Sequence, residues 1–481
     1  MNVPKPKITK FAFPLCIGII LGLLGPLELI AQESKEESAK KAPSLLMVRA
    51  EENYAYLKDK NPYQPEFGDS LKYLALNQSR SIYLSLGGEY RSRIESFTNR
   101  NWTTKDEAYY SQRLALHANL QVGKSLRVFA EIYHGLTSGE ERFLEDDPID
   151  LFQGFVEWIP YKNDKQSLSI RAGRQEFGFG ASRLTGIREG PNIRRSFDMG
   201  RFIYRFKNSS LNLLYGKEVR PGFSAFDNQS QLFTDNSPGN PLLWGLYSQI
   251  YISPDKPTFD FYYLIYQSAF SSFNDVMGKE NRHTVGLRSN GRIGKLSFNT
   301  ELIYQFGQLA SSEISAFNFE TDWQYQLSQR SWLPKLGLKL DFSSGDKQSG
   351  DGKIQTFNPL FVNPAIYSLA AVNTPANISS FHPNFSFSPI KKLRVYLDYA
   401  VFYRSQENDG LYAPPNFQTR KTNGIKEKHI GDVIGLELQY RFNRNIFFNL
   451  RSSYFIAGNF IKASGPAKNT FYIAPTLSLK F

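Results

Sequence analysis

The 481-residue chain has a single cysteine, Cys16, close to its N-terminus. Past the leader there is no thiol left to build a disulfide framework or a thiolate metal site. Downstream of that leader, no run reaches the roughly 18 apolar residues that a membrane-spanning helix needs. If such a chain lives in a bilayer it must close into a barrel, because lipid leaves open backbone groups unsatisfied. Histidine is scarce: His117, His134, His283, His382 and His429 are all there are, and no pair has zinc-ligand spacing. His117 lies near Ser111, which raises a serine hydrolase for consideration. No serine sits in a nucleophile-elbow context, however, so His117 reads as a polar wall residue. Neither an enzyme nor a metal or cofactor site is therefore expected. A fixed period of aromatic residues is also missing, which argues against a solenoid or propeller.

The N-terminus is that of an exported protein. Lys5, Lys7 and Lys10 precede an apolar stretch from Phe11 to Leu24, and Leu29-Ile30-Ala31 forms a cleavage region before polar Gln32-Glu33-Ser34. Residues 1–31 read as a signal peptide. Residues 32–76, charged and then tyrosine-bearing, read as a flexible periplasmic lead-in, and 77–481 as the main domain. The formal net charge is +12, and losing three lysines and one glutamate with the leader leaves +10. Mean hydropathy is only −0.40, yet aromatics make up 15% of the chain. A lipid face, a wet interior and aromatic girdles together account for both values.

From Ser81 onward the chain alternates. Ile82, Leu84, Leu86, Tyr90 and Ile94 fall on one parity, and Ser85, Glu89, Arg91, Arg93 and Glu95 on the other. Side chains alternate across a strand, so one face takes the charge. Residues 111–122, 126–133 and 167–172 repeat the pattern. Further segments lie near 150–159, 199–206, 210–217, 242–253, 257–267, 281–291, 294–306, 313–326, 335–343, 379–388, 392–403, 430–442, 446–457 and 469–481. The reading is an all-β, antiparallel up-and-down transmembrane barrel of about 18 strands, monomeric, in the cell outer membrane; an even count brings both ends to the periplasm. The last strand ends in Phe481, an aromatic that fits recognition by the outer-membrane assembly machinery. Long loops are expected at 136–149, 220–241, 343–378 and 404–429. The carboxylates of 136–149 (Glu140, Glu141, Glu145, Asp146, Asp147) could bind Ca²⁺ but read as solvated.

Several blocks occur in a telling order: Leu84-Ser85-Leu86-Gly87-Gly88-Glu89-Tyr90-Arg91-Ser92-Arg93, Arg127-Val128-Phe129-Ala130-Glu131, and Gln153-Gly154-Phe155-Val156-Glu157. Arg171-Ala172-Gly173-Arg174-Gln175-Glu176 follows, with Arg183-Leu184, Arg188-Glu189-Gly190-Pro191-Asn192 and Arg194-Arg195-Ser196-Phe197-Asp198. Later come Ser344-Gly345-Asp346, Phe357-Asn358-Pro359-Leu360-Phe361, Tyr403-Arg404 and Asp409-Gly410-Leu411-Tyr412. In these residues the chain resembles the alginate export family of outer-membrane porins over nearly everything past residue 50. The resemblance implies an 18-stranded barrel whose lumen, lined with Arg and Lys in the family's founding members, passes an anionic uronate polymer. Alginate itself does not follow, since a fold hosts many solutes.

The residues carry a compatible story of their own. Arg91, Arg93, Arg113, Arg127 and Arg171 take the interior parity, and Arg174, Arg183, Arg188, Arg194, Arg195 and Arg201 cluster nearby. Glu131, Glu176 and Asp198 are among the carboxylates at hand to pair with them. Guanidinium forks suit carboxylates, so these residues are the candidate pore lining for an anionic or polar polysaccharide or oligosaccharide. About half are expected to be salt-bridge braces of the wall. The glycine-rich stretch 171–201 breaks the alternation and is the candidate constriction, with a periplasmic loop as the alternative. The other functional classes are a general small-solute porin and a non-conducting structural or adhesion barrel. Lipid, a carbohydrate and periplasmic export partners are expected as partners. Nucleic acid is not, because the basic residues point inward.

Overall fold

The computed structural model describes residues 43–58, 66–139, 146–230, 232, 240–370 and 372–481. The leader lies outside them. Eighteen strands form one antiparallel sheet: β1 Ile82–Thr98, β2 Glu107–Val122, β3 Leu126–Ser138, β4 Asp147–Lys162, β5 Gln166–Gln175, β6 Phe197–Phe206, β7 Ser209–Glu218, β8 Leu242–Ile250, β9 Thr258–Phe273, β10 Val276–Ile293, β11 Leu296–Leu309, β12 Ser312–Gln326, β13 Lys335–Ser343, β14 Ile378–Ile390, β15 Leu393–Arg404, β16 His429–Arg441, β17 Ile446–Ala457 and β18 Thr470–Lys480. Neighbours in sequence pair in order, and β18 returns to β1 with Glu89 opposite Lys480 and Tyr90 opposite Leu479. The barrel is closed, which removes the sheet edges. Every segment of expected alternation became one of these strands.

The alternation places the residues as parity demands. On β1, Ser85, Glu89, Arg91, Arg93 and Glu95 are buried in the interior, whereas Tyr90 and Ile94 are 38% and 42% exposed on the outer wall. Leu114, Leu116, Val156, Leu213 and Leu302 continue that apolar outer surface. A cysteine introduced at Ile94 is therefore expected to react with a maleimide delivered from the lipid phase, and one at Arg91 is not. Labelling at 91 and protection at 94 would overturn the parity.

Loop length sorts the two ends. Both termini of the sheet, Ile82 and Lys480, lie at the end with the short turns 123–125, 163–165, 207–208, 294–295 and 391–392. The opposite end carries 176–196, 219–241, 344–377 and 405–428. The segment 176–196 connects β5 to β6 at this long-loop end, so it is not a periplasmic loop. The connection expected at 136–149 is shorter, because β3 runs on to Ser138 and β4 begins at Asp147.

The described part of the lead-in near the barrel is not the flexible segment expected, and residues 32–42 and 59–65 lie outside the described residues. Residues 43–58 are folded, with Arg49 and Ala50 only 2% and 1% exposed. Ala50 packs with Phe129 of β3 and Phe155 of β4. Burying this short stretch satisfies wall groups that would otherwise lack partners. The chain end is held close by. Gly88 N–H donates to the Phe481 carbonyl at 3.0 Å, and an Arg49 Nη donates to the same oxygen at 2.8 Å. A Cβ on Gly87 would stand 2.4 Å from Lys72 Nζ and 2.7 Å from that oxygen, so the Gly-Gly pair gives the junction its room.

Candidate functional site

The segment 176–196 turns inward and divides the lumen. Its apolar side chains Phe177 and Leu184 join Leu360 and Phe361 of the 344–377 loop and wall residues Tyr247, Tyr262 and Ile303 in an apolar core inside the barrel. The two loops are stitched backbone to backbone: Phe361 N–H donates to Leu184 O at 2.8 Å, and Gly186 N–H to Phe361 O at 3.0 Å. Charge alone called for a lumen that is wet or neutralised by partners; the β6–β12 side instead has an apolar filling, not anticipated from the sequence. Asn358-Pro359-Leu360-Phe361 was the visible signal for it, since an apolar run inside a long loop needs somewhere to bury.

The polar side of the same segment faces β1 and β2. Arg91 donates to the Glu189 carboxylate at 3.1 Å and to Asn192 Oδ1 at 3.1 Å. Arg113 reaches both Glu89 and Glu189 at 2.7 Å. Arg91 and Arg113 stand directly opposite each other in register, a pairing that would repel without those carboxylates. Burial by itself would raise Glu189, but Arg113, Arg194 and Arg91 hold its carboxyl well below the usual range. Arg194, 3% exposed, lies 3.0 Å from Glu176 and 3.3 Å from Glu189.

The remaining sequence candidates have definite partners, though Arg174 and Asp198 fall on the outward parity of β5 and β6, in step with Ala172 and Gly200, and not on the lumen side. Arg127 and Arg171 share Glu157 at 3.3 and 3.0 Å, and Arg171 holds Glu51 of the lead-in at 2.8 Å. Arg174 pairs with Asp198 at 2.9 Å. Arg183 crosses to Glu320 on β12, and Arg195 to Glu218 at 2.7 Å. Glu131 accepts from Gln153 at 2.6 Å, and Arg201 donates to Asn212 at 2.9 Å. Arg93 binds Glu95 and Tyr472 at 2.7 and 2.8 Å and also the Gly190 carbonyl. Among the described residues, no group of three or more His, Asp or Glu is placed to hold a metal ion.

Space remains beside this braced block. A cavity of about 410 Å³ at the long-loop end is bounded by Arg93, Arg100, Arg188, Arg195, Arg451 and Tyr472, with Pro364, Pro414 and Phe417 as its apolar side. A second, of about 350 Å³, lies toward the short-turn end against Glu89, Arg91, Arg93, Arg441, Arg444, Arg451 and Lys480. The two share Arg93 and Arg451, with Gly190 lining one and Glu189 the other. Arg113, Arg127, Glu131, Arg171, Arg174, Arg183, Arg194 and Asp198 line neither. A third cavity, about 250 Å³, holds Glu51, Glu176, Arg201 and Arg205.

Arg451 and Arg441 were missed from sequence. The signal was present in strand parity, since Asn449, Arg451 and Ser453 alternate with Leu450 and Tyr454, but the denser arginine run at 171–201 drew attention away. Arg451 bonds Glu437 at 3.0 Å and keeps 27% of its side chain exposed. Long wall guanidiniums of this kind reach into water while their stems lie on the wall.

Comparison with known proteins places this geometry. The family model described as alginate export matches residues 82–474. A search of curated proteins found no match. Among solved structures, Acinetobacter baumannii OccAB1 aligns with a TM-score of 0.56 at 10% identity, over 86% of this chain and all of that one. Pseudomonas aeruginosa OpdO aligns with 0.55 at 11% identity, over 83% and 97%. P. aeruginosa OccK2 (OpdF), solved in complex with glucuronate, aligns with 0.55 at 12% identity, over 82% and 98%. These identities speak to fold alone, an outer-membrane barrel. The closed 18-stranded wall, the inward arginines and the match over most of the sequence lead to one conclusion: the chain belongs to the alginate export family, as an outer-membrane β-barrel of the porin type.

Proposed function

We propose that the barrel conducts an anionic or polar saccharide through a passage along β16–β18 and β1, with arginines setting the sign of what passes. The observation that carries this reading is the pair of cavities sharing Arg93 and Arg451. Each lies within the roughly 300–1,000 Å³ typical of a site for one small molecule, so an oligomer or a short stretch of polymer is the solute they suit. Arginine forks recognise carboxylates bidentately, while Pro414, Pro364 and Phe417 offer an apolar surface to a sugar ring. The chain does no chemistry on its solute. Periplasmic partners and the assembly machinery, reading Phe481, belong to the same proposal.

Recording from the purified barrel in planar bilayers tests it. At low ionic strength, where charges are least screened, a salt gradient is expected to give an anion-preferring zero-current potential, and glucuronate or a uronate oligomer to block the current. Arg451→Ala should shift that potential toward cations and weaken the block about tenfold, on the ~1.5–3 kcal/mol scale of a charged hydrogen bond. Arg174→Ala, away from both cavities, should do neither. High, unselective conductance would favour a general solute porin, and silence a structural or adhesion barrel. An equal effect of both substitutions would move the passage elsewhere.

A further inference from the structure

The lead-in is stapled inside the short-turn end by groups from four places. Arg127 on β3 donates to the Ala50 carbonyl. Arg171 on β5 pairs with Glu51 at 2.8 Å. Arg194 of the inward loop donates to Met47 O at 3.2 Å, and Arg49 itself donates to Gly88 O on β1 at 3.1 Å. The segment borders two cavities, with Ser44, Leu45 and Met47 lining the inner cavity of the passage, and Val48 and Glu51 lining the one of about 250 Å³.

That smaller cavity has donors to spare. Arg205 lies 4.0 Å from Glu51 on the side away from Arg171. Arg201, 9% exposed, lines it too. The Nε atom of Arg201 is buried with no hydrogen-bond partner, as is that of Arg171, which holds Glu51 without itself lining the cavity; such an arrangement is costly unless a stronger acceptor reaches the site. Arg171 spends its other nitrogen on Glu157 at 3.0 Å. Among the described residues, Glu51 pairs with both Arg171 and Arg205 and lines this cavity with Arg201, so the chain itself supplies a carboxylate there, on a segment that lies outside the closed sheet; Glu176, which also lines it, is held by Arg194.

We propose that Arg171, Arg201 and Arg205 form a carboxylate-binding site at the periplasmic mouth, which Glu51 fills in cis and an acidic sugar fills in trans, so that residues 43–52 act as a tethered stopper released by solute. The inference rests on the channel reading for the identity of the competitor. The attraction between the arginines and Glu51 is in keeping with the Glu51 carboxyl: burial would raise it, yet Arg171, then Arg201, draw it down to about 2. It stays ionised and seated at any periplasmic pH, so release requires a competing anion rather than acid.

The test uses the full mature barrel in detergent and in bilayers, with glucuronate as the probe. Hydrogen exchange of residues 47–52 should be slow in the wild type and speed up on adding glucuronate. In Glu51→Gln it should be faster by about tenfold or more without any solute, the scale of one charged hydrogen bond. Conductance should rise in Glu51→Gln and rise further when 43–52 are deleted. Glu51→Gln loses only the charged contact, so it is the arm that spares the fold. Exchange unchanged by both glucuronate and Glu51→Gln would overturn the site, and conductance unchanged by the deletion would overturn the stopper. A barrel that never conducts yet frees the segment with glucuronate would overturn the channel reading and leave the carboxylate site standing.

Discussion

Arg194→Met is expected to destabilise the barrel by about 3–5 kcal/mol, the scale found when one partner of a buried ion pair is removed. Arg194 and Glu176 are each 1% exposed at the side chain and 3.0 Å apart. Arg194 also reaches Glu189 at 3.3 Å and the Met47 carbonyl at 3.2 Å. Its loss leaves the buried Glu176 carboxyl without its cation, beside Glu131 on the neighbouring wall, where burial and that neighbour already disfavour the charged form. It also frees one end of the inward segment and one staple of the lead-in. Denaturant unfolding of the detergent-folded barrel, followed by the shift of its heat-modifiable gel band, measures the cost. Glu176→Gln in the same background should recover part of it, because the amide keeps the shape and needs neither a cation nor a proton to stay neutral. A single mutant within about 0.5 kcal/mol of the wild type, the range of ordinary surface changes, would show that the pair carries no such weight.

The second large effect is expected where two outer loops meet. Asp409 is fully buried. One of its oxygens accepts from Asp346 N–H at 2.9 Å and Thr356 Oγ1 at 2.6 Å, and the other from Gly410 N–H and Tyr412 O–H, both at 2.7 Å. Asp409→Ala leaves four buried donors without an acceptor, each worth about 1–3 kcal/mol when orphaned. Asp409→Asn is expected to do nearly as much harm, because its amide turns a donor toward Asp346 N–H and Thr356. The strands do not depend on this knot, so the damage should stay local. Hydrogen exchange and tryptic cleavage at Lys347 and Lys421 should accelerate in 344–377 and 405–428 while the barrel remains heat-modifiable, and current noise should increase as the loops come loose. Loops as protected as in the wild type would refute the lock.

The same knot explains what the family-like blocks of the second half are for. Asp346, Asn358, Arg404, Asp409 and Tyr412 were read as marks of a resemblance with no stated task. Arg404, 1% exposed, donates to the carbonyls of Glu407, Asp409, Ile425 and Glu427. Asn358 N–H donates to Gln305 on β11 at 2.9 Å. Their work is to hold the long loops in place at that end of the barrel.

The wall was legible from sequence because a strand exposed to lipid on one side and to the lumen on the other must alternate with a period of two, and nothing distant can change that parity. All 18 strands, the closure of β18 on β1, and the inward direction of Arg91, Arg113, Arg171 and Arg201 follow from it. What parity leaves open is how the interior is shared, because that depends on contacts between residues far apart in the chain. Whether a given inward arginine braces the barrel or faces open space was settled by which carboxylate folded up against it: Glu189 against Arg91 and Arg113, Glu320 against Arg183, Glu51 against Arg171. Only the tertiary structure seats the lead-in within the barrel, buries the loop core around Phe361, and leaves Arg451, an inconspicuous residue of β17, at the junction of the two cavities. Burying a charge costs several kcal/mol unless a partner arrives, and the arrival of partners is decided in three dimensions.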